Sequence, residues 1–146
     1  MNITKVLVVE DLEKWQASAK RNLAHHRLPE PTQAYNLEEA LEAYQREMPQ
    51  LIITDINLDP SPTDSGNRDG FEVCRQIRSL DSEVFIAVMS SCTPVDEYRQ
   101  RSFEAGANVY VDKSNFVKEF DTLVDRLKIY GRDLPTSWSP HSCFEN

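Results

Sequence analysis

An open α/β fold, a parallel sheet with helices on both faces, is predicted by three observations. Four short apolar runs, Val6-Leu7-Val8-Val9, Leu51-Ile52-Ile53, Val84-Phe85-Ile86-Ala87-Val88-Met89 and Val109-Tyr110-Val111, show no polar alternation. Such runs read as strands buried on both faces, which is the condition of parallel strands under helices. Helix-period segments lie between them, so strand and helix alternate five times, and right-handed crossovers join such units into one doubly wound sheet. The chain of 146 residues has a one-domain length, long enough to bury a core without staples, and its 40% hydrophobic and 27% charged content is ordinary for a globular domain.

The elements follow in order. Val6 to Val9 leads into a helix marked by Leu12, Trp15, Ala19, Leu23 and His26. Pro31 to Asn36 is a weaker fifth strand, polar enough for a sheet edge. Leu37, Leu41, Tyr44 and Met48 mark the second helix, and Phe71, Cys74 and Ile77 the third. The fourth, Val95 to Phe103, is weakly amphipathic. Phe116, Phe120, Leu123, Leu127 and Tyr130 place a continuous apolar stripe on the fifth. Residues 59–69 (DPSPTDSGNRD) read as an exposed loop. Gly131 is a helix stop, so residues 1–130 are expected to form the domain and residues 131–146, with Trp138 and Phe144, a tail or linker stub.

Charge and cysteine usage exclude several classes. The net charge of −8 disfavours direct nucleic-acid binding, which needs clustered Lys and Arg. No apolar run approaches the roughly 18 residues of a membrane span, and Met1 to Lys5 runs straight into the first strand without a signal peptide. Cys74, Cys92 and Cys143 are odd in number and widely spaced, which suits a reducing, cytoplasmic setting. His25, His26 and His141 lack zinc-ligand spacing.

Ligands of open parallel sheets bind beyond the carboxyl ends of the strands. Glu10 and Asp11 follow the first run, Asp55 the second past Thr54, Ser90 and Ser91 the Val84–Met89 run, and Asp112 and Lys113 the last. Carboxylates held together repel unless a cation intervenes, and this hard oxygen set suits Mg²⁺ or Mn²⁺. With the metal bound, one carboxylate can act as nucleophile on a phosphoryl donor, while the metal and a lysine neutralise the transferring oxygens.

These residues resemble the receiver domains of two-component signalling, over roughly Lys5 to Tyr130. Val8-Val9-Glu10-Asp11 resembles the family's acidic pair, and Ile52-Ile53-Thr54-Asp55-Ile56-Asn57 its phosphoacceptor segment. Asp69-Gly70-Phe71-Glu72-Val73-Cys74 is similar to the start of its third helix, Met89-Ser90-Ser91 to the end of its fourth strand, and Gly106 to Lys113 to its fifth-strand motif. The resemblance implies a flavodoxin-like strand order 2-1-3-4-5. It implies Asp55 as phosphoacceptor, Asp11 and Asp55 as metal ligands, Glu10 acting through water, and Asn57 contributing its backbone carbonyl. Ser90 takes the switch-hydroxyl position, Ser91 leaves room for the phosphoryl group, Tyr110 is the switch aromatic and Lys113 the phosphate-binding lysine.

A histidine kinase or phosphotransfer protein is the implied donor. A protein bound on the face of the fourth helix, fifth strand and fifth helix is the implied output, and a homodimer is a further expectation. The chain is then a switch rather than an enzyme, limited to catalysing its own phosphorylation and slow dephosphorylation. Three departures stand out: Asp55 and Gly70 are fifteen residues apart, which lengthens the loop beside the site; Ser114 stands where the family often has proline; and no output domain is expected after Tyr130. Ser114 is an alternative cap for the fifth helix.

Each residue also has a plainer role. Asp11 suits a helix N-cap, Ser90 and Ser91 a turn, Tyr110 core packing, Cys92 a small structural site, and the His25-His26 pair a helix C-terminus. Two other functions use a similar set: a phosphate-independent interaction module, and a Mg²⁺-dependent phosphohydrolase. The latter needs a second acid where Asn57 stands. A flavin site lacks its phosphate cradle, because Glu10-Asp11-Leu12-Glu13 is acidic.

Overall fold

In the computed structural model, which describes residues 3–58, 68–92 and 94–130, every expected strand and helix is present. The order is β1 (Val6–Val9), α1 (Glu13–His25), β2 (Thr32–Ala34), α2 (Leu37–Glu47), β3 (Leu51–Asp55), α3 (Asp69–Leu80), β4 (Phe85–Ser90), α4 (Val95–Glu104), β5 (Val109–Asp112) and α5 (Phe116–Tyr130). A short 3-10 turn, Lys113–Asn115, joins β5 to α5. All strand pairs are parallel and the sheet order is β2-β1-β3-β4-β5, as expected.

The apolar runs are buried on both faces because side chains alternate across each strand. Leu7, Val9, Ile52, Ile86, Val88 and Tyr110 pack beneath α2, α3 and α4 with Ala40, Tyr44, Phe71, Val73 and Ile77. Val6, Val8, Ile53, Phe85, Ala87, Met89, Val109 and Val111 pack on the other face beneath α1 and α5, against Ala19, Leu23, Phe116, Phe120, Leu123 and Leu127. Each buried Leu, Ile or Phe contributes about 1.5–3 kcal/mol, so these two layers supply most of the driving force. The polar run at Pro31–Asn36 becomes the three-residue edge strand β2.

Local chemistry sets the helix ends. Asn36 caps α2 by accepting from the Glu39 amide at 2.9 Å, and Glu39 reaches back to the Tyr35 amide at 3.0 Å. Met48 does not extend the buried stripe of α2. It takes the left-handed conformation (φ 49°) as the C-cap and is 57% exposed. Ser114 does not cap α5; it is the donor to Asp112, whose carboxylate accepts from the Ser114 amide and hydroxyl at 2.9 Å each. Asp69, the last residue of the expected loop and the first of the segment similar to the family's third helix, opens α3. Residues 59–67 of the expected loop and the tail 131–146 lie outside the described residues.

Gly70 brings α3 against the end of β3. Its amide donates to the Ile56 carbonyl at 2.9 Å, and a Cβ there would stand 1.9 Å from the Asp55 carbonyl oxygen. The obstacle is backbone, so no rotamer change relieves it. Gly70→Ala is expected to cost about 1–3 kcal/mol of stability, as overpacking does. A lowered urea midpoint is the measurement; an unchanged midpoint means that α3 can retreat from β3 freely.

Candidate functional site

The parallel strands present their carboxyl ends together, and the chain winds in opposite directions from β1 and β3. A crevice at such a switch point is where α/β sheets bind ligands. Glu10 and Asp11 follow β1, Asp55 ends β3, Ser90 ends β4, and Lys113 follows Asp112 at the end of β5. Strand length thus brings together residues up to 103 positions apart, Glu10 and Lys113 being the extremes.

Lys113 joins the acidic groups. Its Nζ donates to Asp55 Oδ2 at 2.9 Å and lies 2.7 Å from Glu10 Oε2. Asp55 Oδ1 accepts from the Ile56 amide at 2.7 Å, so the carboxylate is oriented from both sides. Glu10 Oε1 accepts from the Leu12 amide at 3.2 Å. Carboxylate oxygens of Glu10, Asp11 and Asp55 all lie within 4.8 Å of one another. The Trp15 ring covers the ammonium, with its centroid 4.7 Å from Nζ. The Asp112 amide donates to Glu119 on α5, which together with the Asp112–Ser114 bonds holds the turn that carries Lys113.

Burial makes the charges costly. Glu10 is fully buried, and its carboxyl is pushed up to about 8, first by desolvation and then by the charge of Asp55. Burial also raises Asp55 against the lowering pull of Lys113. For Lys113 burial pulls downward, but Asp55 and Glu10 together outweigh it and the ammonium is raised. One ammonium against three carboxylates leaves negative charge uncompensated.

The remaining expected residues occupy the rim. Ser90 is buried, and its Oγ accepts from the Cys92 amide at 2.9 Å; Ser91 is exposed. Tyr110 is 0% exposed, with its hydroxyl beside Ser90 but without a hydrogen bond of normal geometry, and burial pushes the phenol up to about 12. The Asn57 side chain accepts from Arg68 Nη1 at 2.7 Å and faces Cys92 Sγ at 3.5 Å.

The response regulator receiver domain model matches residues 6–127 of the chain. The chain belongs to this family. The receiver domain's acidic pocket of Glu10, Asp11 and Asp55 matches the family's phosphoacceptor site, and its function is that of a receiver in two-component signalling. The transcriptional regulatory protein PrrA of Mycobacterium tuberculosis is 33% identical over 124 residues, covering 85% of this chain and 48% of that protein. The response regulator MprA of Mycobacterium leprae is 29% identical over 121 residues, covering 79% of this chain and 46% of that protein. The chain therefore spans about half the length of the curated relatives it matches. Among solved structures, the BeF₃-activated receiver domain of Klebsiella pneumoniae RstA superposes with a TM-score of 0.71 at 26% identity, over 88% of this chain and 99% of that one. No helix among the described residues is long and apolar enough to cross a membrane.

Several features of the receiver domain escaped sequence reasoning. Glu10 reads as an exposed strand-end acid, yet it is buried beside Lys113; its position directly after four fully buried strand residues was the available signal. Asp11 does not cap α1, because the N-cap is Leu12 and no side chain caps it. Trp15, on the expected apolar stripe of α1, packs against the core with its ring edge to Phe116 and also shields Lys113, a role periodicity does not show. Gln16, buried in α1, faces the carbonyls of Val8, Glu10 and Ala34 at 2.9–3.2 Å and so fastens the end of β1. Arg68 had no signal, because the long loop hides where α3 meets the site.

The donor set fits a hard divalent cation. It offers carboxylate oxygens only, and burial raises two of its three carboxyls, Glu10 and Asp55. Between the ordinary value of 4.5 and about 8, Glu10 binds a proton in the folded chain and none in the unfolded one. Metal-free stability should therefore fall as pH rises through that window, by up to about 1.4 kcal/mol per pH unit. Urea unfolding across the window should show a flatter profile for Glu10→Gln, with the variant the more stable near the upper end. Identical slopes for the two proteins would place the proton elsewhere.

Proposed function

We propose that this receiver domain is a Mg²⁺-dependent phosphoacceptor switch in which Asp55 takes a phosphoryl group from a histidine kinase or phosphotransfer protein. The observation that carries the reading is the placement of Lys113 Nζ, 2.9 Å from Asp55 Oδ2 and 2.7 Å from Glu10 Oε2, within a cluster completed by Asp11. Asp11 and Asp55 would hold Mg²⁺ or Mn²⁺ directly, with the Asn57 carbonyl, and Glu10 would assist through water. When bound, the metal supplies charge that neutralises the transferring oxygens.

The protein's own residues do the rest. A carboxylate oxygen of Asp55 attacks phosphorus as the bond from phosphorus to the donor imidazole nitrogen breaks; the electron pair leaves with the imidazole. The Ile56 amide orients the nucleophile, and Lys113 meets the charge that develops on the phosphoryl oxygens. The Ser90 hydroxyl accepts from Cys92 and so keeps its own proton free to donate to the phosphoryl group. Ser91 leaves room beside it. Tyr110 already lies inward, so the motion still available is that of Ser90 and the backbone after it. Asn57 stands where a hydrolase needs a second acid, which keeps dephosphorylation slow.

The unit that switches is residues 1–130, with the tail 131–146 as a linker or terminus. Its output face is α4, β5 and α5, offered to a protein or to a second copy of the chain, with net charge −8 arguing against nucleic acid as direct partner. A cytoplasmic setting matches the donor.

Incubation with a small-molecule phosphodonor and Mg²⁺ should add the mass of one phosphoryl group, and Asp55→Asn should add none. Lys113→Ala should slow the reaction roughly a hundredfold. Beryllofluoride with Mg²⁺ should change the fluorescence of Trp15. No adduct and no fluorescence change in the wild type would favour the phosphate-independent interaction module.

A further inference from the structure

Trp15 stands in the first turn of α1, and its ring serves two neighbours at once. Its edge meets Phe116 with 5.7 Å between centroids and 78° between planes, and Phe116 leans on Phe120 at 5.3 Å. Phe116 and Phe120 are core residues of α5, so the indole is anchored to the packed side of the domain. The Lys113 ammonium lies over the same ring, 4.7 Å from its centroid. An ammonium has three N–H donors and is strongly hydrated in water. Here Asp55 Oδ2 at 2.9 Å and Glu10 Oε2 at 2.7 Å are its charged neighbours, and the lysine side chain is only 5% exposed. The ring thus takes part of the shell that water would otherwise fill.

We propose that Trp15 is a positioning residue for phosphoryl transfer to Asp55: its ring keeps water off the Lys113 ammonium and holds that ammonium by a contact with no fixed direction, so that it can pass from the carboxylate to the phosphoryl oxygens. The inference rests on the reading of Asp55 as phosphoacceptor. As a carboxylate oxygen of Asp55 bonds to phosphorus, the donor's bond to phosphorus breaks and its electron pair leaves with the donor. Asp55 gives up its charge to the ester, and the negative charge now sits on the phosphoryl oxygens. The ammonium has to follow that charge. A hydrogen bond from a polar cover would resist the shift, because it weakens steeply off its axis. Attraction to a ring face persists wherever the cation stays within about 6 Å of the centroid. An apolar cover also keeps the local dielectric low, which strengthens the pull of the ammonium on the developing charge.

Plain packing on the α1 stripe makes a different prediction. If Trp15 acts through Lys113, its loss must matter only while the ammonium is there, and a smaller aromatic ring must substitute for it. If Trp15 only supports the fold, its loss slows the reaction whether or not Lys113 is present, and Phe is no better than Leu.

The experiment is a double-mutant cycle on the full chain. Formation of the phosphoryl adduct from a small-molecule phosphodonor with Mg²⁺ is followed by intact mass over hours, with circular dichroism confirming that each variant is folded. Trp15→Leu should slow the adduct about fivefold, and Trp15→Phe should stay within about twofold of wild type. In the Lys113→Ala background, Trp15→Leu should change the rate by less than about twofold. Equal rates for Trp15→Phe and Trp15→Leu, or a fivefold loss that persists without Lys113, overturn the proposal. Should Lys113→Ala form no adduct at all, the Phe and Leu variants decide between the two roles. A wild-type chain that forms no adduct overturns the phosphoacceptor reading instead, and the role of Trp15 with it.

Discussion

The Lys113 ammonium, enclosed between Glu10 and Asp55 and roofed by Trp15, is the interaction on which the rest of the site depends. Two carboxylates and an ammonium are all largely withdrawn from water, and the ammonium lies within 2.9 Å of an oxygen of each carboxylate, which offsets part of their desolvation. The surrounding elements serve that placement. Glu119 and Asp112 hold the turn after β5, Gln16 pins the end of β1, and the Ile56 amide fixes the far oxygen of Asp55. Because a buried pair is costly when one partner is lost, the site is tightly interdependent.

That interdependence leaves the site short of positive charge. Three carboxylates face one lysine, and burial together with the charge of Asp55 pushes the Glu10 carboxyl up to about 8. The same imbalance would favour a divalent cation, because the cluster offers carboxylate oxygens only. In the proposed reaction a phosphoryl group on Asp55 would meet the Lys113 ammonium already in place, which lies 2.9 Å from Asp55 Oδ2.

The doubly wound sheet makes this arrangement possible and also limits it. Parallel strands put every carboxyl end on one edge, and the two apolar layers hold that edge rigid. What can move lies on the rim, where polar contacts rather than apolar packing hold the chain. Ser90 with Cys92, and Arg68 between Asn57 and Tyr98, are such contacts, and both lead from the site toward α4. A rigid edge with a polar rim is suited to turning a local charge change into a change of surface.

The fold class and most of the site were legible without coordinates. Unbroken apolar runs require strands covered on both faces, alternation with helical stripes requires a parallel sheet, and parallel strands oblige Glu10, Asp11, Asp55, Ser90 and Lys113 to meet at one edge. Local rules were less reliable where another contact competed. Met48 fits the stripe of α2 but turns out as the C-cap, and Ser114 looks like a cap but donates to Asp112. Periodicity and spacing thus determined the architecture and which residue types converge, because both depend on the chain's own geometry. Only the tertiary structure decided that Glu10 is buried against Lys113, that Trp15 shields it and that Arg68 reaches Tyr98. Those facts depend on how separate elements approach one another, and a distance in space between residues far apart in the chain is not written in their local order.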